Sequence, residues 1–182
     1  MADKEKRKPK DYLVRTEERG EEMPVRHPLN PNSEVYYTAL SDRVGMKRAQ
    51  LALGRLPPDR ESFAFHSHMA QEEFVYILSG EGEAEIGEET FEVGPGDYMG
   101  FPTDGTAHNL KNTGDKDLVY LMGGERTDLE VAHFPHHGKV LIGHLDHLYL
   151  VDEKAIEKKP SRNGSAKAGR RPRTMRRPRT SL

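Results

Sequence analysis

His66-Ser67-His68, followed by Glu73 and then by His108 thirty-five residues further on, is the group of side chains best suited to chemistry. Three imidazoles and one carboxylate form a ligand set for a divalent metal. Mixed nitrogen and oxygen donors suit Mn, Fe, Ni or Zn rather than Ca. Four protein ligands on a six-coordinate ion leave two positions for water, substrate or O₂. His66 and His68 are two residues apart, so on a strand both point to one face. Alternation from Glu73 puts Val75 and Ile77 on its face, as a barrel interior requires, and sends Glu72 the other way. Glu73 is therefore the preferred carboxylate.

The elements that must position these residues read as short strands punctuated by Gly and Pro. Strand candidates are Val35–Leu40, Arg48–Leu53, Phe63–His68, Glu73–Leu78, Glu83–Gly87, Thr90–Val93, Tyr98–Phe101, His108–Asn112 and Leu118–Met122. Turn signals recur every eight to twelve residues, the pattern of an antiparallel sandwich or barrel. Gly94-Pro95-Gly96-Asp97 reads as a tight turn. Helical signal is confined to Asp152–Lys158. The expected fold is all-β, a single barrel.

The pattern resembles the cupin superfamily. His66-Ser67-His68, four residues, Glu73, six residues, Gly80 matches its first motif. Gly96, five residues, Pro102, then Gly105, His108 and Asn112 matches its second. The second motif commonly has one residue between Pro and Gly; here there are two, Thr103 and Asp104, which lengthens the turn before His108. The resemblance covers about residues 45–125. It implies a double-stranded β-helix (jelly-roll) barrel, with His66, His68, Glu73 and His108 as metal ligands. The lead-in at His27-Pro28-Leu29-Asn30 and the Gly123-Gly124-Glu125-Arg126 segment resemble compact single-domain bacterial cupins. Some cupins keep the barrel and lose the metal; here all four ligand types are present.

Length and charge set the frame. The chain has 182 residues, an ordinary size for one domain. Residues 161–182 carry eight Arg or Lys and no acid, whereas residues 11–160 carry 15 basic and 28 acidic side chains. The expected organisation is a charged arm without structure at 1–22, a barrel domain at 23–152, and a basic low-complexity tail at 153–182. An acidic body argues against a general nucleic-acid surface and leaves only a weak contact through the basic tail. There is no Cys, so disulfides and a Cys nucleophile are excluded. Neither a signal peptide nor an apolar run of ~20 residues is present, so the expected address is cytoplasmic with no membrane contact.

The functional expectation is a metal-binding barrel that acts on or binds a small polar or anionic metabolite. The resemblance implies oxygenase, isomerase, decarboxylase or lyase chemistry without choosing among them, and no general base can be named. The alternative is a non-catalytic module that senses a small ligand or metal. A homodimer is expected, with Val35–Leu40 as an edge or swapped strand. Arg48, Gln50, Tyr76 and Tyr98 are candidates to line the pocket. His133, His136, His137, His144 and His147 form a second His-rich stretch without a ligand pattern; His144 and His147 would share a face if that segment were helical. Asn112 is expected to brace the turn that follows His108.

Overall fold

The computed structural model describes residues 7–19, 22–157 and 159. Three antiparallel sheets make up the fold. The strands in chain order are β1 (Pro24–Val25), β2 (Val35–Ala39), β3 (Ala49–Leu56), β4 (Ser67–His68), β5 (Glu73–Ser79), β6 (Gly82–Ile86) and β7 (Glu89–Val93). They continue with β8 (Tyr98–Phe101), β9 (His108–Asn112), β10 (Leu118–Glu125), β11 (Leu129–Phe134), β12 (Lys139–His144) and β13 (His147–Asp152). The six-stranded sheet runs β1-β2-β3-β10-β5-β8, the four-stranded sheet β13-β12-β11-β4, and the three-stranded sheet β7-β6-β9. This is the all-β jelly-roll barrel that the sequence pattern predicts.

The alternation in β3 explains how the barrel closes. Ala52, Gly54 and Leu56 face inward and the residues between them do not. Leu56 joins Val35, Ile77, Leu118 and Tyr120, all at most 1% exposed, in one core with Ala84 and Leu110 from the three-stranded sheet. Burial of such side chains from water is what holds the sheets together. A smaller cluster, Ala64, Ala132 and Phe134 with Leu29 and Leu141, sits beneath the four-stranded sheet.

Turn chemistry fixes the connections. Gly80 adopts φ +84° between β5 and β6, and a Cβ there would lie 2.5 Å from the Asp117 carbonyl oxygen. Only glycine meets both demands. In the Gly94–Asp97 turn the Asp97 N–H donates to Gly94 O, and the Gly94 N–H donates to the Asp97 carboxylate. The extra residue of the second motif is absorbed locally. Asp104 Oδ1 accepts the Thr106 N–H at 2.9 Å, Gly105 takes φ +89°, and His108 opens β9.

Several expectations are corrected. Phe63–His68 is not one strand. Ala64 and Phe65 are both buried, which breaks the alternation, and only Ser67–His68 is a regular strand, with His66 bridging singly to His108. Val35–Leu40 is not an edge strand, because β2 lies between β1 and β3, and Leu40 opens a short helix, α1 (Leu40–Arg43). The helical reading at Asp152–Lys158 fails as well: Asp152 ends β13, and among the described residues of this stretch only Glu153–Ala155 forms a 3₁₀ turn. Three strands after residue 128 had no sequence-based expectation. Within the 1–22 stretch, Pro9–Tyr12 and Thr16–Glu18 form 3₁₀ turns with no buried residue. The basic stretch 161–182, with the nucleic-acid expectation attached to it, lies outside the described residues. Among the described residues no helix is long and apolar enough to cross a membrane.

Candidate metal centre and ligand cavity

The three sheets meet at the predicted ligands. His66 and His108 exchange backbone hydrogen bonds, His66 N–H to His108 O at 3.1 Å and His108 N–H to His66 O at 2.7 Å. A directly paired antiparallel couple projects its side chains to the same side, and the two rings stand 4.8 Å apart. His68, in β4, pairs in register with Ala132 of β11. Glu73 is the first residue of β5 and is held between β8 (partner Phe101) and β10 (partner Gly124).

The polar atoms converge. His66 Nε2 lies 3.0 Å from His68 Nε2; Glu73 Oε2 lies 3.4 Å from His68 Nε2 and 3.1 Å from His108 Nε2. His66, His68 and Glu73 form a group whose ligand atoms lie within 4.8 Å of one another. Glu72 does not join it. Its side chain is exposed, as the alternation requires.

The surroundings determine which atoms point inward. The His66 Nδ1–H donates to the Ala64 carbonyl at 2.7 Å, so the neutral ring presents the Nε2 lone pair. Burial, helped by the neighbouring His108 and His68, pushes the His66 pKa down to about 3 and keeps that ring neutral. The His108 ring stacks on Phe101 at 3.5 Å and 4°, which fixes its plane. Burial alone would raise the Glu73 carboxyl, but hydrogen bonds from His108 and His68 outweigh it and hold it well below the usual carboxylate range.

Glu130 was not anticipated from sequence. It is 8% exposed, and its Oε1 accepts the N–H groups of Met69 (3.0 Å) and Ala70 (3.4 Å) and lies 3.6 Å from His68 Nδ1. It thus pins the loop between His68 and Glu73 and stands behind the His68 ring. Tyr120 was also missed: its fully buried hydroxyl has its pKa raised by burial and by the Glu73 charge. No local motif marks either residue, since both arrive from strands outside the two motifs.

A cavity of about 390 Å³ opens over the cluster. Of the pocket candidates, Gln50 lines it and Arg48, Tyr76 and Tyr98 do not. Tyr76 faces outward, 39% exposed, and Tyr98 is 65% exposed on the edge strand β8. The second His-rich stretch does not assemble a site. His133 contacts Met69 Sδ, His136 stacks on Phe65, and His144 and His147 are cross-strand partners at the tip of the β12–β13 hairpin rather than neighbours on a helix.

Gly124 lets β10 approach closely enough to seat Glu73. A Cβ there would lie 2.2 Å from the Glu72 carbonyl oxygen and 3.2 Å from Glu73 Cα. Gly124→Ala is therefore expected to push β5 away, at a cost of about 1–3 kcal/mol for an overpacked contact, and to lower metal content while the far-ultraviolet circular dichroism stays β-type. Unchanged metal content would show that Glu73 tolerates the shift.

The comparisons with known proteins agree with this geometry. The cupin-domain family profile matches residues 52–124. An oxalate-binding protein of Thermotoga maritima is 36% identical over 88 residues, 48% of this chain and 71% of the relative. The chain is a cupin. Among solved cupin-like structures, a candidate sugar phosphate isomerase from Acidithiobacillus ferrooxidans is similar over 85% of this cupin and 100% of its own chain, with 31% identity and a TM-score of 0.81. A sugar phosphate isomerase of the cupin superfamily from Silicibacter pomeroyi covers 69% of this cupin and 80% of its own chain, with 25% identity and a TM-score of 0.65. The profile match spans the region from β3 to the Gly124 position, and so includes all four predicted ligands.

Proposed function

We propose that this cupin holds a divalent transition metal through His66 Nε2, His68 Nε2, His108 Nε2 and Glu73 Oε2, and binds a small molecule over it. The observation that carries the reading is the inward convergence of these atoms, with the His66 tautomer set by the Ala64 carbonyl. The donor set fits an ion: with bonds of about 2.1 Å, neighbouring donors stand about 3.0 Å apart in an octahedron and about 3.4 Å in a tetrahedron. The His66–His68, His68–Glu73 and Glu73–His108 spacings run from 3.0 to 3.4 Å; His108 joins through Glu73 and stands outside the group of His66, His68 and Glu73 whose donors all lie within 4.8 Å of one another. Mn, Fe, Ni and Zn all suit imidazole and carboxylate donors.

A bound metal supplies Lewis acidity and a template for oxygen atoms of the ligand. The chain does the rest. Phe101 orients His108 and the Ala64 carbonyl orients His66, and Glu130 stands 3.6 Å behind His68 Nδ1, on the side from which an outer carboxylate steadies a ligand imidazole. Phe63 and Phe134 give the cavity an apolar wall. The relatives are named for oxalate binding and for sugar phosphate isomerisation, which supports a small oxygen-rich ligand. Oxygenase, isomerase, decarboxylase and lyase chemistry share this metal arrangement, and non-catalytic ligand binding is the second reading that the oxalate-binding relative favours.

The test is metal analysis of untagged protein, with close to one equivalent expected. Metal-free protein that takes up none of Mn, Fe, Ni or Zn on titration would overturn the reading. Glu130→Gln keeps an acceptor for the Met69 and Ala70 N–H groups and removes the charge behind His68. It is expected to weaken metal binding by roughly 10–100-fold with little change in melting temperature, measured by competition with a chelating indicator.

A further inference from the structure

The wall of the ligand cavity has an unbalanced charge. Five acidic residues line it, Glu72, Glu73, Glu125, Asp128 and Glu130, and among the described residues no Arg or Lys does. They lie at two depths. Glu130 is buried and Glu73 half-buried at the metal centre, while Glu72, Glu125 and Asp128 are exposed and form the mouth. The mouth is organised: the Glu125 N–H donates to Glu72 O at 3.1 Å, and the Glu72 N–H donates to Glu125 Oε2 at 3.4 Å, so these two acids are tied side by side.

Beyond what a metal itself binds, recognition of a phosphate monoester or a dicarboxylate draws on paired Arg or Lys donors, or on a helix N-terminus. The described residues offer neither at this cavity. An ion of charge +2 held with Glu73, and with Glu130 behind His68, leaves the inner end close to neutral. A dianion would then meet three further negative groups at the mouth with nothing to offset them. An ammonium group would meet the same three as partners. One other feature favours a donor-rich ligand. Glu130 Oε2 is buried with no hydrogen-bond partner, so a hydroxyl at the metal end has an acceptor to meet.

We propose that the ligand of this cavity is a small hydroxylated amine, with its hydroxyl groups at the metal end and its ammonium at Glu72, Glu125 and Asp128. The inference rests on the metal reading for the depth at which the ligand sits, and it separates this cupin from ligands such as oxalate or a sugar phosphate.

A matched six-carbon series tests it. Metal-replete full-length protein is titrated calorimetrically with glucamine (cationic), sorbitol (neutral) and gluconate (anionic), and with oxalate and glucose 6-phosphate. Glucamine is expected to bind about tenfold more tightly than sorbitol, since each exposed ion pair contributes a few-fold, and the three anions more weakly still. In the Glu125→Gln/Asp128→Asn double variant the preference for glucamine over sorbitol should shrink to about twofold, with metal content unchanged. Equal or tighter binding of any of the anions, no advantage of glucamine over sorbitol, no detectable glucamine binding, or an undiminished preference in the double variant would each overturn the proposal. Metal content is measured on the same samples. Protein without metal sinks the metal reading alone, and the order of the probes still decides the charge reading.

Discussion

Glu73→Gln is expected to abolish the proposed metal binding, and Glu72→Gln to leave it intact. The two residues are adjacent and chemically identical, and they differ in depth and in what they touch. Glu73 Oε2 lies 3.4 Å from His68 Nε2 and 3.1 Å from His108 Nε2, while the Glu72 side chain is exposed. Glutamine keeps the shape of Glu73 but removes the one negative charge of the donor set, so the loss should exceed the ~10–100-fold that outer partners of metal ligands cost. Elemental analysis after gel filtration checks it. Retention of a full equivalent by Glu73→Gln, or its loss from Glu72→Gln, would reverse the assignment.

Asn112→Ala is expected to destabilise the fold strongly. Asn112 is 0% exposed, and its amide closes three separate connections. Nδ2 donates to the carbonyls of Leu56 (2.7 Å) and Lys116 (2.8 Å), and Oδ1 accepts the Gly114 N–H (2.9 Å). The residue was expected to brace one turn; it also ties the end of β9 to the end of β3. Alanine would leave these backbone groups without the partner, at a cost of about 3 kcal/mol in all. For a domain of this size that corresponds to a fall in melting temperature on the order of 10 °C, readable by calorimetry. A fall of less than about 2 °C would mean that the turn re-forms its hydrogen bonds without the side chain.

The clustering of the proposed ligands was legible in sequence because much of their geometry is local. Two imidazoles two residues apart on an extended segment share a face whatever the rest of the chain does, and the glycines at 80 and 105 mark turns that only positive φ can make. Strands with clean alternation, β3 and β5 among them, were legible for the same reason. The strands after residue 128 were not. In β11 the buried phase is Glu130, Ala132 and Phe134, so a carboxylate sits where a core position should show an apolar residue. In β13 four successive residues from His147 to Leu150 are exposed, so burial leaves no periodicity to read. Glu130 was hidden by the same fact that makes it useful: it is an ordinary-looking acid in a strand, brought to His68 only by pairing between distant segments. The break at Phe63–Phe65 came from consecutive buried residues, which a period-two pattern cannot express.

His68 belongs to the four-stranded sheet, Glu73 to the six-stranded and His108 to the three-stranded. An ion shared by these side chains would act as a cross-link between all three, as well as a chemical centre. Its binding energy would then be part of the folding energy. At a free concentration a thousand times its Kd it would add about 4 kcal/mol, a sizeable share of the roughly 5–15 kcal/mol that separates a folded domain from its unfolded chain. The lifetime of the protein would follow the metal supply around it, and scarcity would show as lost abundance as well as lost function.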